Sequence, residues 1–215
     1  MRRMLFEKTG TAIWMSHLDT MRLMQRAFRR AGVLLHHSQG YTPHAYVSML
    51  LPLSVGVESC CEIMEYELDS ALTISPAEMN AVLPQGVRVL EVYESGRKAK
   101  ELSTLRAELR LEYDGGVPAG CAAAIESLLG GETLFVEKRT KRGMEQTDIR
   151  TLLYGFELKE TENALLLDCR VSAQDPALNP LLLVTAIETH LPALKSSHAR
   201  CRRVEVLDVA GEAFR

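Results

Sequence analysis

The chain has 215 residues, of which 47% are hydrophobic and 25% are charged, and its formal net charge is -3. This composition is ordinary for a folded globular protein and excludes extensive disorder. A slightly acidic chain is not a uniformly basic nucleic-acid binder, so a site for a polyanion would have to come from local clustering of positive charge.

The N-terminal segment carries charges through its middle, and no run of 18 apolar residues occurs. We therefore predict no signal peptide, no membrane span and a cytoplasmic location. The cysteines are odd in number, widely spaced and without a C-x2-C pair, which excludes zinc-ribbon and thioredoxin-like sites. We expect buried or half-buried thiols in a reducing compartment at Cys60, Cys61, Cys121, Cys169 and Cys201.

The predicted elements of the first half follow the order β-α-β-β-α-β. Alternating and helical apolar patterns, with Ser75 as a helix cap before Pro76, define them. They are a strand at 4–8, a helix at 16–31, extended segments at 34–39 and 48–53, a strand at 61–68, a helix at 75–83 and a strand at 87–93.

A charged linker at 96–102 separates this half from a second set of elements in the same order. They are a strand at 105–113, a helix at 118–129, a strand at 133–139, a helical turn or extended arm at 146–158, a strand at 164–172, a helix at 180–191 capped by Asn179, and a strand at 202–209. The order predicts an α+β fold of two tandem ferredoxin-like domains with antiparallel sheets. Their predicted bounds are residues 1–95 and 103–215, with a basic insertion near 138–150.

The first predicted helix begins at Ser16 and Asp19, an S-x-x-D sequence that is typical of a helix N-terminus. At about 100° per residue, its apolar side chains face away from four arginines that share one arc. The apolar face comprises His17, Met21, Met24, Phe28 and Ala31, and the arginines are Arg22, Arg26, Arg29 and Arg30.

Arginine forks match pairs of phosphate oxygens, so this face is a candidate phosphate-binding surface. The alternative is a solvated face on which the last two arginines favour the helix dipole. An ion pair of Asp19 with Arg22 or Arg26 would weaken the binding interpretation.

Three of the six histidines, His36, His37 and His44, lie within nine residues. Adjacent histidines on a strand face opposite sides, so only one of the first two can join His44 and His17. Nearby carboxylates are limited to Asp19. We therefore predict neither a metal site nor a cofactor.

The loop that contains His44 has three open interpretations. As a binding loop, it would use Tyr41 and His44 to stack on bases, with Ser38 and Gln39 offering hydrogen bonds. As a catalytic element, His44 would act with His17 in acid–base chemistry on RNA. As a structural loop, it would be shaped by its glycine and proline.

A second basic segment lies near 138–150 and includes Lys138, Lys141, Arg142 and Arg150. One interpretation is the solvated tip of a hairpin. The other is a phosphate clamp that works together with the arginine face. Tandem ferredoxin-like domains often bind RNA, but that is an analogy at the level of the fold.

Several of these motifs together resemble the DUF2344 family of radical-SAM-linked proteins. The matching runs are F-E-K-T-G at 6–10, S-H-L-D at 16–19, the arginines that follow, S-Q-G-Y-T-P-H at 38–44 and P-L-S-V-G-V-E-S at 52–59. More weakly, K-R-G at 141–143 and D-I-R at 148–150 resemble the basic segment of the family. The resemblance is dense over about the first 70 residues.

The resemblance implies a partner, namely a radical SAM enzyme to which such domains are fused or beside which they are encoded. This chain has no C-x3-C-x2-C motif and so looks like a stand-alone form with a separately encoded partner. It departs from the family at Ala45 and Tyr46, where Pro-Lys is usual, and at Asn179, where an arginine is usual. Both departures remove positive charge.

Three functions remain open from the sequence. The first is a non-catalytic module that binds structured RNA, such as tRNA or rRNA, for a radical SAM partner. The second is a protein-interaction subunit whose arginine face docks on an acidic patch of that partner. The third is an RNA-cleaving or small hydrolytic enzyme that uses His17 and His44.

Overall fold

The computed structural model describes residues 1–69, 72–140 and 143–215, without the side chains of residues 138–140. The fold is mixed α+β, and the strand pairings within each part of the chain are antiparallel. The chain divides into two compact units, one of residues 1–101 with Arg215 and one of residues 102–214.

In its described residues, 1–69 and 72–101, the first unit has four strands and two α-helices in the order β-α-β-β-α-β. They are β1 (Arg2–Lys8), α1 (His17–Arg30), β2 (Val47–Met49), β3 (Glu58–Tyr66), α2 (Pro76–Asn80) and β4 (Val87–Glu94). Hydrogen bonding gives the strand order β4-β1-β3-β2, so the first strand lies in the interior of the sheet.

The core of the first unit lies between its sheet and helix α1. Met4 and Phe6 of β1 and Met64 of β3 face Met24 and Phe28 of the helix, and all five are almost completely buried. The Phe28 ring also meets the Tyr66 ring with a centroid separation of 4.9 Å. Burying a side chain of this size contributes about 2 kcal/mol, so this packing determines which side of α1 faces inward.

The second unit repeats the element order with an inserted hairpin. Its elements are β5 (Leu102–Glu112), α3 (Cys121–Leu129), β6 (Phe135–Thr140), β7 (Gly143–Asp148), β8 (Leu153–Glu160), β9 (Ala164–Ser172), α4 (Leu181–His190) and β10 (His198–Asp208). Its main sheet has the order β10-β5-β9-β8, and β6 pairs with β7 in a separate ribbon.

The prediction that the strand at 133–139 belongs to the main sheet was wrong. Leu134 and Val136 are buried and alternate with exposed residues, which is the pattern of a strand, but the partner is β7. The edge position beside β9 is taken by β8, in which only Leu153 is buried. An edge strand needs few apolar side chains, so its pattern is weak in the sequence.

Other differences concern element ends in the first unit. The segment predicted as extended at 48–53 forms a strand only at Val47–Met49. The segment at 34–39 forms isolated bridges, one between Leu35 and Leu68 and one between His37 and Ala45.

In the second unit, helix α4 begins at Leu181, and Asn179 accepts the hydrogen bond of the Leu181 N–H.

All five cysteines lie within the described residues as thiols, Cys60 half-buried and the other four buried, in agreement with the burial expected from the sequence. Among the described residues, no helix combines the length and hydropathy that a membrane crossing requires.

Candidate functional site

Helix α1 begins with a complete capping box. The Ser16 hydroxyl accepts a hydrogen bond from the Asp19 N–H at 3.2 Å, and the Asp19 carboxylate accepts from the Ser16 hydroxyl at 2.6 Å and from its N–H at 3.3 Å. These hydrogen bonds lower the pKa of Asp19. The S-x-x-D sequence therefore predicted the helix start correctly.

The four arginines of α1 are all exposed, and we call them the arginine face: Arg22, Arg26, Arg29 and Arg30. Asp19 reaches Arg22 only at 3.9 Å, between two largely exposed side chains, which is a weak contact. Within the described part of the chain, the guanidinium groups of Arg26, Arg29 and Arg30 have no hydrogen bond or ion pair. Three of the four groups are thus available to an external anion.

The histidine loop, residues 36–44, is a short hairpin-like turn closed by its own backbone. The Ser38 N–H donates to the His44 carbonyl at 2.9 Å, and the His44 N–H donates to the Ser38 hydroxyl at 3.0 Å. Gln39 and His44 are exposed, and Tyr41 at the tip is fully exposed. Ser38 therefore closes the loop, and the other three side chains face solvent.

Two histidines of this region are engaged with other groups. The His36 ring pairs with Asp69 at 2.7 Å, and the His37 ring bonds to the Leu35 carbonyl at 2.9 Å. His17 lies at a cleft described below, and no hydrogen bond joins it to His44 in the described structure. Among residues 1–69, 72–140 and 143–215, no group of three metal-binding side chains comes together.

A small cleft in the first unit contains charged side chains that the sequence did not single out. Its lining includes Lys8 at the end of β1, Glu62 of β3 and His17 of α1, together with Phe6, Thr20, Met49 and Leu53. Phe6 is directly opposite Glu62, and Lys8 follows on the same helix-covered face of the sheet.

Lys8 is only 2% exposed, and its ammonium group donates to the Met15 carbonyl at 2.7 Å. Burial lowers the pKa of Lys8, and the neighbouring Glu62 carboxylate opposes that shift. A buried lysine, a buried glutamate and a histidine at one cleft are groups that can move protons. The signal that could have identified Lys8 in the sequence is its position on the buried side of the alternating strand M-L-F-E-K.

Two exposed apolar side chains flank the cap of α1 in the sequence, Trp14 before Ser16 and Leu18 in the first turn of the helix. Trp14 is the single tryptophan of the chain and is 69% exposed. It precedes the helix cap by two residues, and its ring lies against Gly56. The sequence analysis missed this residue because its contact with Gly56 joins two segments that are far apart in the chain.

In the second unit, the β6–β7 hairpin is closed by Asp148 and Arg150. The Asp148 carboxylate accepts the Leu134 N–H at 2.8 Å and the Arg150 N–H at 2.9 Å. The Arg150 guanidinium donates to the carbonyls of Gly131 and Leu153, both at 2.9 Å. Arg150, which the sequence suggested as a phosphate contact, therefore has a structural role at the hairpin base. Lys141, Arg142 and the Lys138 side chain lie outside the described residues.

A family model described as an uncharacterized protein conserved in bacteria, DUF2344, matches residues 2–180. The chain belongs to the DUF2344 family. The match covers nearly all of the first unit and residues 102–180 of the second, and it confirms the membership of the DUF2344 family that the motifs indicated. The arginine face, the histidine loop and Lys8 of this DUF2344 member all lie within the matched residues. No curated protein matches its sequence.

Two solved structures resemble this DUF2344 member at 12% identity. A crystal structure of a Cbf5–Nop10–Gar1 complex gives a TM-score of 0.55 and covers 95% of this chain and 48% of the other. The archaeal box H/ACA sRNP Nop10–Cbf5 complex gives a TM-score of 0.48, with 94% and 46% coverage. The chain thus spans about half the length of those it resembles, and the likeness concerns the fold alone.

Proposed function

We propose that this protein is a non-catalytic module that binds structured RNA through the arginine face and the histidine loop and that it serves a radical SAM enzyme. The observation that supports it most strongly is the exposure of Arg22, Arg26, Arg29 and Arg30 on one side of one helix. Arg26, Arg29 and Arg30 have no ion-pair partner in the described structure, and Asp19, the acid of the same helix, is engaged in the helix cap.

The charges of this face fit a polyanion-binding surface better than an ordinary solvated surface. Several arginines elsewhere pair with carboxylates, as Arg106 does with Asp168 and Arg110 does with Glu112. Like charges kept together without acids repel one another, and phosphates relieve that repulsion by bidentate hydrogen bonds. Tyr41 and His44 on the exposed loop add groups that can stack on unpaired bases.

We further infer that each unit is a variant of the ferredoxin-like fold. The support is the shared element order and the equivalent strand orders β4-β1-β3-β2 and β10-β5-β9-β8. The β6–β7 ribbon is then an insertion in the second domain, before its edge strand.

The test is RNA binding as a function of salt. Bulk tRNA is titrated with the wild-type protein and with the triple variant Arg22→Ala, Arg26→Ala, Arg29→Ala, and affinity is measured by filter binding at several salt concentrations. Loss of three phosphate contacts should reduce the magnitude of the salt slope by about 2 to 3. The matched control removes the same charge from ion-paired positions: Arg106→Ala, Arg110→Ala, Arg200→Ala.

Equal affinity of the wild type and the α1 triple variant, or equal losses in both triple variants, would overturn the proposal. A protein-docking function remains the alternative. It predicts that a purified radical SAM partner binds the wild-type protein after nuclease treatment but does not bind the α1 triple variant. It also predicts that the wild-type protein has no measurable affinity for tRNA.

A further inference from the structure

We infer that Trp14 is a stacking platform for an unpaired nucleobase, placed at the N-terminal end of the arginine face. This inference rests on the proposed RNA-binding function and names the part of the RNA that is recognised. The sequence motifs pointed to the arginines and the histidine loop, and Trp14 belongs to neither.

The first support is that Trp14 is both exposed and held in place. A Cβ at Gly56 would lie 3.5 Å from Cζ3 of the indole and 3.9 Å from Cη2, so one end of the ring lies against that glycine. The Gly56 N–H donates to the Ile13 carbonyl at 2.9 Å, which ties the two segments together. A ring supported in this way loses little freedom when a base stacks on it.

The second support is the position of Trp14 relative to the charges. Leu18, 63% exposed, lies in the first turn of α1, and at about 100° per residue it shares its side of the helix with Arg22 and Arg29. Trp14 lies four residues before Leu18 in the chain, at the end of the helix from which these arginines follow. An aromatic platform beside a row of cations is the arrangement by which proteins hold single-stranded nucleic acid.

Other exposed aromatic residues lack this combination. Tyr41 is fully exposed at a loop tip, with no ring contact in the described structure, so ordering it costs more entropy. Tyr154 of β8 already has the Arg170 guanidinium at 5.9 Å from its ring centroid. Unlike Tyr41 and Tyr154, Trp14 combines exposure with a supporting contact and a position before the arginine-bearing helix.

The experiment uses the intrinsic fluorescence of the wild-type protein, because Trp14 is its single tryptophan. Two RNA probes share one stem sequence: a hairpin with an unpaired loop of uridines and a blunt duplex. We expect saturable quenching of Trp14 by the hairpin and little quenching by the duplex. By filter binding, Trp14→Ala should weaken hairpin binding about tenfold, with Trp14→Phe in between. Tyr154→Ala is the matched control and should bind as the wild type does.

The outcomes separate this inference from the proposed function. Hairpin binding that depends on the α1 arginines but leaves Trp14 emission and Trp14→Ala affinity unchanged overturns the stacking platform alone. No salt-sensitive binding of tRNA, hairpin or duplex overturns the proposed function, and the inference with it. Quenching of the Trp14 fluorescence by a purified protein partner, but by neither RNA, overturns the inference and indicates a protein-docking patch instead. Because the quenching test needs no substitution, it does not depend on whether Trp14→Ala folds.

Discussion

The Trp14 indole rests on Gly56, whose φ of +83° is accessible to glycine at little cost. This contact joins the segment that precedes α1 to the loop that precedes β3. It explains how a large apolar ring can stay at the surface in a defined position, and it makes Gly56 the residue whose replacement is most informative.

Gly56→Ala should destabilise the protein by about 1 kcal/mol, since a side chain at this φ is strained. It should also shift the emission maximum of Trp14, because the added Cβ meets the ring at contact distance. Urea unfolding followed by tryptophan fluorescence measures both effects. Gly96→Ala is the matched control, as Gly96 lies in open space without a positive φ. Equal effects of the two substitutions would contradict the role given to Gly56.

The capping box of α1 predicts a pH dependence. Hydrogen bonds from Ser16 lower the pKa of Asp19 below its usual value of 3.8, so the folded state releases this proton more readily than the unfolded state. The resulting stability is present above pH 3.8 and is lost as the pH falls through the lower, folded pKa. Ser16→Ala should cost about 1 kcal/mol at neutral pH and reduce the acid sensitivity of unfolding.

Chemical denaturation between neutral pH and about pH 2 tests this. The second capping box, Ser75 with Glu78 in α2, provides a matched comparison, because Ser75→Ala removes the same hydrogen bonds away from the arginine face. Ser16→Ala with the acid response of the wild type would contradict the assignment.

Lys8 and Glu62 are buried at one cleft, and the Glu62 charge acts on Lys8, so the two residues should be coupled. Removing either charge takes away this electrostatic interaction, so Lys8→Met or Glu62→Gln alone should destabilise the protein by about 1 kcal/mol. The double variant should lose clearly less than the sum of the two. A double-mutant cycle in urea measures the coupling energy, and strictly additive losses would exclude an interaction.

The same lysine predicts an alkaline effect. Because burial lowers the pKa of Lys8 below 10.5, the unfolded chain holds this proton more tightly just below that pH. The contribution of Lys8 to the free energy of unfolding therefore rises as the pH increases through the folded pKa towards 10.5. The difference in unfolding midpoint between the wild type and Lys8→Met, followed across that range, isolates the effect from other titrating groups.

The cysteines should differ sharply in reactivity. Burial raises the pKa of Cys169 and of Cys201 to about 12, so almost no thiolate forms there at neutral pH. Cys60 is half-buried and should be alkylated first by iodoacetamide under native conditions. Mass spectrometry of peptides from native and urea-treated samples gives the order. Alkylation of Cys169 or Cys201 before Cys60 in the native protein would contradict the described burial.

Much of α1 could be predicted from the sequence because its determinants are local. Ser16 and Asp19 are three residues apart and meet within one helical turn, and the helical period alone separates Phe28 from Arg26. The α+β class and the DUF2344 family were also recognised from residue patterns. The exposed arginines follow from the same periodicity.

The strands of the second unit show what local sequence patterns do not predict. Neither residues 135–140 nor residues 153–160 alternate regularly, and no pattern within either segment predicts which of them will pair with β9. That choice depends on residues brought together from elsewhere in the chain, since β6 finds its partner in β7 and β8 takes the edge.

The candidate site divides in the same way. The charge of the arginine face is a property of one helix, and the sequence is sufficient to find it. Lys8 and Glu62 meet at one cleft, Gly56 supports Trp14, and Arg150 closes the hairpin. Each of these features joins residues that are far apart in the chain or in irregular segments. Such contacts form only when the sheet and its loops have folded, because burial and backbone direction then determine which side chains meet.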